Sequence, residues 1–190
     1  MRSTVALGLI TLVCAAVPLW SLAHAAADAL PPFWTGVRQL ATAPLPLMAS
    51  LGLGVTVAFS NLGAVAIPAA GLTAFLVAGV DPALLAGAPS LAVIATTGLV
   101  SISGWSPPGW LALLFGLTSG AVAATAVKAH MPQWDVALGL GAMVIVIAGW
   151  SVRLLQWARS LPPLREAALV ARQVIGAWGT AIAILLAMSR

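Results

Sequence analysis

The chain has 190 residues, 62% of them hydrophobic and only 6% charged, with a mean hydropathy of +1.09, against roughly 25% charged in soluble domains. Its formal charge of +4 comes from eight Lys/Arg against four Asp/Glu, scattered along the chain and not gathered into the basic stripe that nucleic-acid binding needs. The composition is that of an integral membrane protein and leaves no place for a nucleic-acid partner.

Taken in order, residues 1–25 have one positive charge at Arg2, an apolar run from Val5 to about Trp20, and Ala23-His24-Ala25, the small-x-small pattern of a cleaved secretory signal peptide. Cys14, the only cysteine, falls inside it, so the mature chain is expected to have neither disulfide nor thiolate chemistry. Residues 26–44 then read as a periplasmic lead-in. Pro44 and Pro46 flank Leu45 at its end, a spacing that favours a bend where the chain meets the membrane.

Residues 45–190 form the expected transmembrane domain, with apolar runs at 45–60, 64–80, 84–102, 110–127, 136–152 and 174–188 measured against the ~20 residues a crossing helix needs. Between them lie Asn61 and Gly63, Asp81-Pro82, the breaker cluster Gly104-Trp105-Ser106-Pro107-Pro108-Gly109, the loop 128–135, and a long polar segment, 153–172. The predicted fold is all-α: a polytopic membrane bundle of six transmembrane helices after a cleaved signal peptide.

A cleaved signal puts the mature N-terminus outside, and six crossings return the C-terminus to the outside. The fifth loop is then cytoplasmic and carries Arg153, Arg159, Arg165 and Arg172 against Glu166 alone, as the positive-inside rule asks. Trp34, Trp105, Trp110, Trp134, Trp150 and Trp157 fall at or near the predicted span ends, where an indole favours the headgroup region. In the fourth span Gly116, Gly120 and Ala124 recur every four residues, a helix-packing stripe that lets a neighbour approach closely. The bilayer is the expected surrounding, with a membrane-protein partner or a second copy of the chain as a possible neighbour.

The six predicted spans contain no Asp, Glu, Lys, Arg or His, which argues against a proton-coupled carrier. Their hydroxyls are expected to bond to their own backbone or across to a neighbour. Ser119-Gly120 could suggest a serine nucleophile, but His130 is the only mature histidine and lies in a loop, so no enzyme is expected. His24 and His130 are too isolated for a transition-metal site, and no cofactor is evident. If the chain transports anything, Ser60, Asn61, Thr118 and Ser119 are the side chains expected to line the path, together with carbonyls near the helix breaks.

Gly36, Thr42, Ala49 and Gly54, and the run Leu114-Phe115-Gly116-Leu117 followed by Ser119-Gly120, resemble motif positions of the HupE/UreJ family, membrane accessory proteins of hydrogenase and urease operons regarded as nickel or cobalt permeases. The signal, the six short spans and the mature length are similar too. At the family's first-motif His, Pro, Gly, Asp and second His stand Gln39, Leu40, Ala43, Leu45 and Pro46, and Ser119 replaces the fourth-span His. The resemblance implies an inner-membrane protein of bacteria, with nickel or cobalt as the transported ion or an accessory role in urease or hydrogenase assembly. A non-transporting subunit or scaffold within a larger membrane complex is the alternative.

Overall fold

The computed structural model describes residues 30–80, 88–127 and 134–188. The expected signal peptide, with Cys14 and His24, lies outside the described residues, as do Asp81, Lys128, His130 and Arg190.

Prolines set the first two helices. Pro32 and Pro44 each occupy a first helical turn, where a missing N–H leaves no intrahelical bond unmade, and they open α1 (Pro32–Thr42) and α2 (Pro44–Val57). Ala43 between them is extended at φ −94° and ψ 108°, and the two helices meet at a bend of 82°. The kink expected at Pro44 and Pro46 is therefore present. The stretch expected as a lead-in contains a helix, α1, whose Gly36, Val37 and Leu40 are buried.

Next come α3 (Gly63–Val77), α4 (Ala88–Ser103) and α5 (Gly109–Ala124). Gly104 follows α4 at φ 70°, the left-handed turn that ends a helix most cheaply at glycine. Extended Pro108 precedes α5. The last two helices, α6 (Trp134–Ser160) and α7 (Arg165–Met188), are separated by a single 3-10 turn at Pro162–Leu164. The segment 153–172, expected as a polar loop, is thus largely helical, and Pro162-Pro163 interrupt it for one turn only. No strand occurs among the described residues.

Two segments are long and apolar enough to cross a membrane: Trp134–Ser160 and Pro162–Met188, with mean hydropathies of 1.9 and 1.7. The bent pair α1–α2 makes a third if it counts as one span. At 15 and 16 residues α3 and α5 are shorter than the lengths expected for them, and the described part of α4 has 16. At 1.5 Å per residue each spans about 23 Å, less than the ~30 Å hydrocarbon core.

The register of contacts gives each helix a direction. A methyl group on Gly116 would run into the Ala66 carbonyl and one on Gly120 into the Ala70 carbonyl, so α3 and α5 run parallel. Gly71 meets Gly141 and Gly63 approaches Val152, so α3 and α6 are antiparallel. Gly98 meets Gly176 while Ala95 meets Thr180, so α4 and α7 are antiparallel. Gly52 lies by Thr97 and Thr56 by Ser101, which sets α2 parallel to α4. Gln156 donates to the Ala58 carbonyl and Gly54 abuts Ala148, which sets α2 parallel to α6. From α2 to α7 the helices therefore alternate in direction.

At the core is α2, which packs against every other described helix. Its Leu53 and Val57 are fully buried with Leu40 of α1 and Leu140 and Val144 of α6. The outer surface is apolar as well: Leu72, Leu76, Trp178 and Leu185 are all more than half exposed. An exterior with so many large apolar side chains exposed suits lipid.

Candidate functional site

Ser60 and Asn61 lie in the turn between α2 and α3. Ser60 Oγ donates to the Val57 carbonyl at 3.1 Å, and Asn61 is exposed. A Cβ on Gly109 would lie 3.7 Å from Leu62 Cδ2, so α5 begins beside this turn. Thr118 and Ser119 lie nine and ten residues further along α5, about 14–15 Å away by helical rise. The four expected path residues form two separate pairs, not one lining.

Thr118 Oγ1 donates to the Leu114 carbonyl at 2.8 Å, so its polarity is spent within its own turn. Ser119 differs. Its Oγ is fully buried and has no hydrogen-bond partner among the described residues. It sits between Gly116 and Gly120, the two residues that admit the α3 backbone, and Ala124 is buried one turn on. The small-residue stripe expected at Gly116 and Gly120 is thus a helix interface, with α3 as its partner.

A second group of hydroxyls joins α2 to α4. Thr56 Oγ1 donates to the Gly52 carbonyl (2.7 Å) or across to the Thr97 carbonyl (3.1 Å), and shares a hydrogen bond with Ser101 Oγ at 3.0 Å. Ser101 Oγ donates in turn to the Thr97 carbonyl at 2.9 Å. The cavity beside this group, between Gly52, Thr97, Gly98 and Gly176, has a volume of about 10 Å³, at the lower bound for one water. It has no room for a hydrated cation.

Among the described residues the one buried charged side chain is Arg172 of α7, 5% exposed. Its Nη2 donates to the Trp105 carbonyl at 3.1 Å and lies 3.5 Å from that of Val100, and its Nη1 is 3.4 Å from that of Gly104. Val100 is in the last turn of α4 and Gly104 and Trp105 follow directly on it, so the guanidinium sits where the helix dipole is negative. The Arg172 guanidinium also lies 5.4 Å from the Phe59 ring centroid, and Arg159 of α6 lies 5.0 Å from the same ring. Phe59 is in the turn after α2. Two cations on one ring are each attracted by its π face, yet neither has an acidic partner among the described residues.

The charge run 153–172 was readable as basic but not as a cluster. Arg153, Arg159, Arg165 and Arg172 all come to the end of the bundle where α2, α4 and α6 finish, whereas Arg38 of α1 lies at the other. No three of His, Cys, Asp and Glu come together among the described residues.

The chain matches no family model, and no curated protein or solved structure is found to be similar to it.

Proposed function

We propose that the chain is a six-span protein of the bacterial inner membrane, its mature N- and C-termini outside, that serves as a non-transporting subunit or scaffold in a larger membrane complex. The observation that carries the membrane reading is the alternation of α2 to α7 together with four arginines at one end. Positive charge is retained on the cytoplasmic side, so that end faces the cytoplasm. The short α3, α4 and α5 then cross with help from their flanking turns and local thinning of the bilayer.

The subunit role is supported by the way the interior is filled. Glycine-seated helices bring backbones into contact at α3–α5 and α4–α7, and the hydroxyls of Ser60 and Thr118 are engaged by their own carbonyls. That is how small residues make stable helix associations in lipid, and it leaves the expected path residues apart. With Cys14 replaced by Ser, single cysteines at Ser106 and Ser160 are expected to react only from the cytoplasmic side, and one at Val80 only from outside. Purification in mild detergent is expected to retain a stoichiometric membrane partner. Nickel or cobalt uptake above an empty vector, in cells lacking their own importers, would overturn the non-transporting role.

That second outcome belongs to the HupE/UreJ-type reading, a nickel or cobalt permease or an accessory protein of urease or hydrogenase. One observation favours it: the buried, unpartnered hydroxyl of Ser119, at the position of the family's fourth-span histidine. On that reading Ser119→Ala lowers uptake.

A further inference from the structure

Between α6 and α7 the bundle is open. A groove of about 640 Å³ runs there, with Met48, Leu51 and Val55 of α2 as its floor, Ala158 of α6 on one wall, and Ala171 and Trp178 of α7 on the other. The floor residues follow the spacing of one helix face, and four residues past Val55, just beyond the end of α2, the next side chain is Phe59. Phe59 is the ring on which Arg159 and Arg172 both rest. The residues directly after Ala158 and Ala171, one from each wall, thus bring a guanidinium each to the ring that follows the floor.

An apolar trough ending in uncompensated positive charge is complementary to an amphiphile with a hydrocarbon tail and an anionic head. We propose that the groove binds one acyl chain of an anionic phospholipid, with the headgroup phosphate on Arg159. Arg172 spends its Nη groups on the carbonyls of Gly104 and Trp105 just past α4 and adds charge beside the ring. Arg159 is exposed and makes no hydrogen bond to another described residue, so its N–H edge is free for a phosphate. The corner lies at the arginine-rich end of the bundle, the depth at which basic pockets between membrane helices meet anionic headgroups. This inference rests on the membrane orientation proposed above and not on the subunit role.

The test uses the purified full chain, delipidated in detergent and offered dioleoyl-phosphatidylglycerol or dioleoyl-phosphatidylcholine, with retained lipid read by native mass spectrometry. Since a basic residue at the membrane surface contributes on the order of 1 kcal/mol, the expected preference for phosphatidylglycerol is about fivefold. Arg159→Gln should bring the two lipids near parity while both still bind, and Ala171→Phe, which fills the trough, should lose both. Arg172→Gln is avoided because it also uncaps α4; helicity and elution volume confirm that the other two variants are folded. Inorganic phosphate alone is expected to give no thermal shift. Equal retention of the two lipids by the unaltered chain would overturn the proposal, as would full retention of phosphatidylglycerol by Ala171→Phe. A phosphate shift abolished by Arg159→Gln would reassign the corner to a free anion. Cysteine labelling reports the orientation separately, so failure of the membrane reading is distinguishable from failure of the lipid site.

Discussion

Between α3 and α5, Gly116 and Gly120 admit the carbonyls of Ala66 and Ala70, with Thr73 Cβ close beside Gly120. Between α6 and α7 the walls stand apart, and the space holds a groove floored by α2. The first seam is built from residues without side chains to place, so its stability comes from backbone contact and dispersion over a large area. The second is held at one end by long cationic side chains on Phe59 and by a single 3-10 turn. A membrane bundle gains nothing from burying apolar groups away from lipid, so a seam closes only where shapes fit. Where they do not fit, lipid can enter.

The sharpest way to break this contrast is to add bulk to each seam. Gly120→Leu would drive its side chain into the Ala70 carbonyl and Thr73 Cβ, backbone and branched carbon that cannot swing aside. Overpacking of that kind costs about 3 kcal/mol, which should appear as a large fall in the thermal midpoint in detergent, or as loss of folded protein. Ala167→Leu at the exposed rim of the groove should change the midpoint little. Equal losses from the two would mean that the seams are built alike.

The tight seam was legible in the sequence and the open one was not. Small residues every four positions at Gly116 and Gly120 can only serve a close neighbour, and Pro44 with Pro46 can only bend the chain, so both features follow from local spacing. The arginines misled because charge usually marks a loop. Here Arg153 and Arg159 lie on α6 and Arg172 on α7, all within continuous helix. What fixes Arg172 is a set of carbonyls some seventy residues earlier, at and just past the end of α4, a pairing that no periodicity contains. In the same way α1 reads as polar lead-in until the carbonyls of Val136 and Phe33 are seen against Gly36 and Gly139. Ser119 reads in the sequence as one path candidate among Ser60, Asn61 and Thr118, and no local spacing tells that its hydroxyl is buried without a partner among the described residues while those of Ser60 and Thr118 bond to nearby carbonyls.

A smaller effect is expected from Arg172→Gln. It withdraws charged donors from the carbonyls of Gly104 and Trp105 just past α4, at a cost of about 2 kcal/mol. The loss should be local. Hydrogen exchange is expected to rise in the last turn of α4 and the first turns of α7, with α3 and α5 protected as before. A uniform rise across all helices would show instead that Arg172 holds the whole bundle, and that the two seams are one cooperative unit.

The smallest effect separates two meanings of the same side chain. In the closed seam Ser119 presents a buried hydroxyl with no partner among the described residues, whereas the Thr56 hydroxyl on α2 reaches both the Gly52 carbonyl of its own helix and Thr97 and Ser101 on α4. Removing an unsatisfied polar group from an apolar setting recovers its desolvation cost, so Ser119→Ala should be neutral or stabilising by up to about 1 kcal/mol. Thr56→Val deletes bonds between helices and should cost about 0.6 kcal/mol, the usual size of such bonds in membrane bundles. Opposite signs for the two substitutions, read as thermal midpoints in one detergent, are what packing alone requires. If Ser119→Ala instead destabilises as much as Thr56→Val, the hydroxyl is bonded in the membrane to something the helices do not supply, such as a water or an ion. In that event the closed seam between α3 and α5, and not the open one, is the place to look for passage.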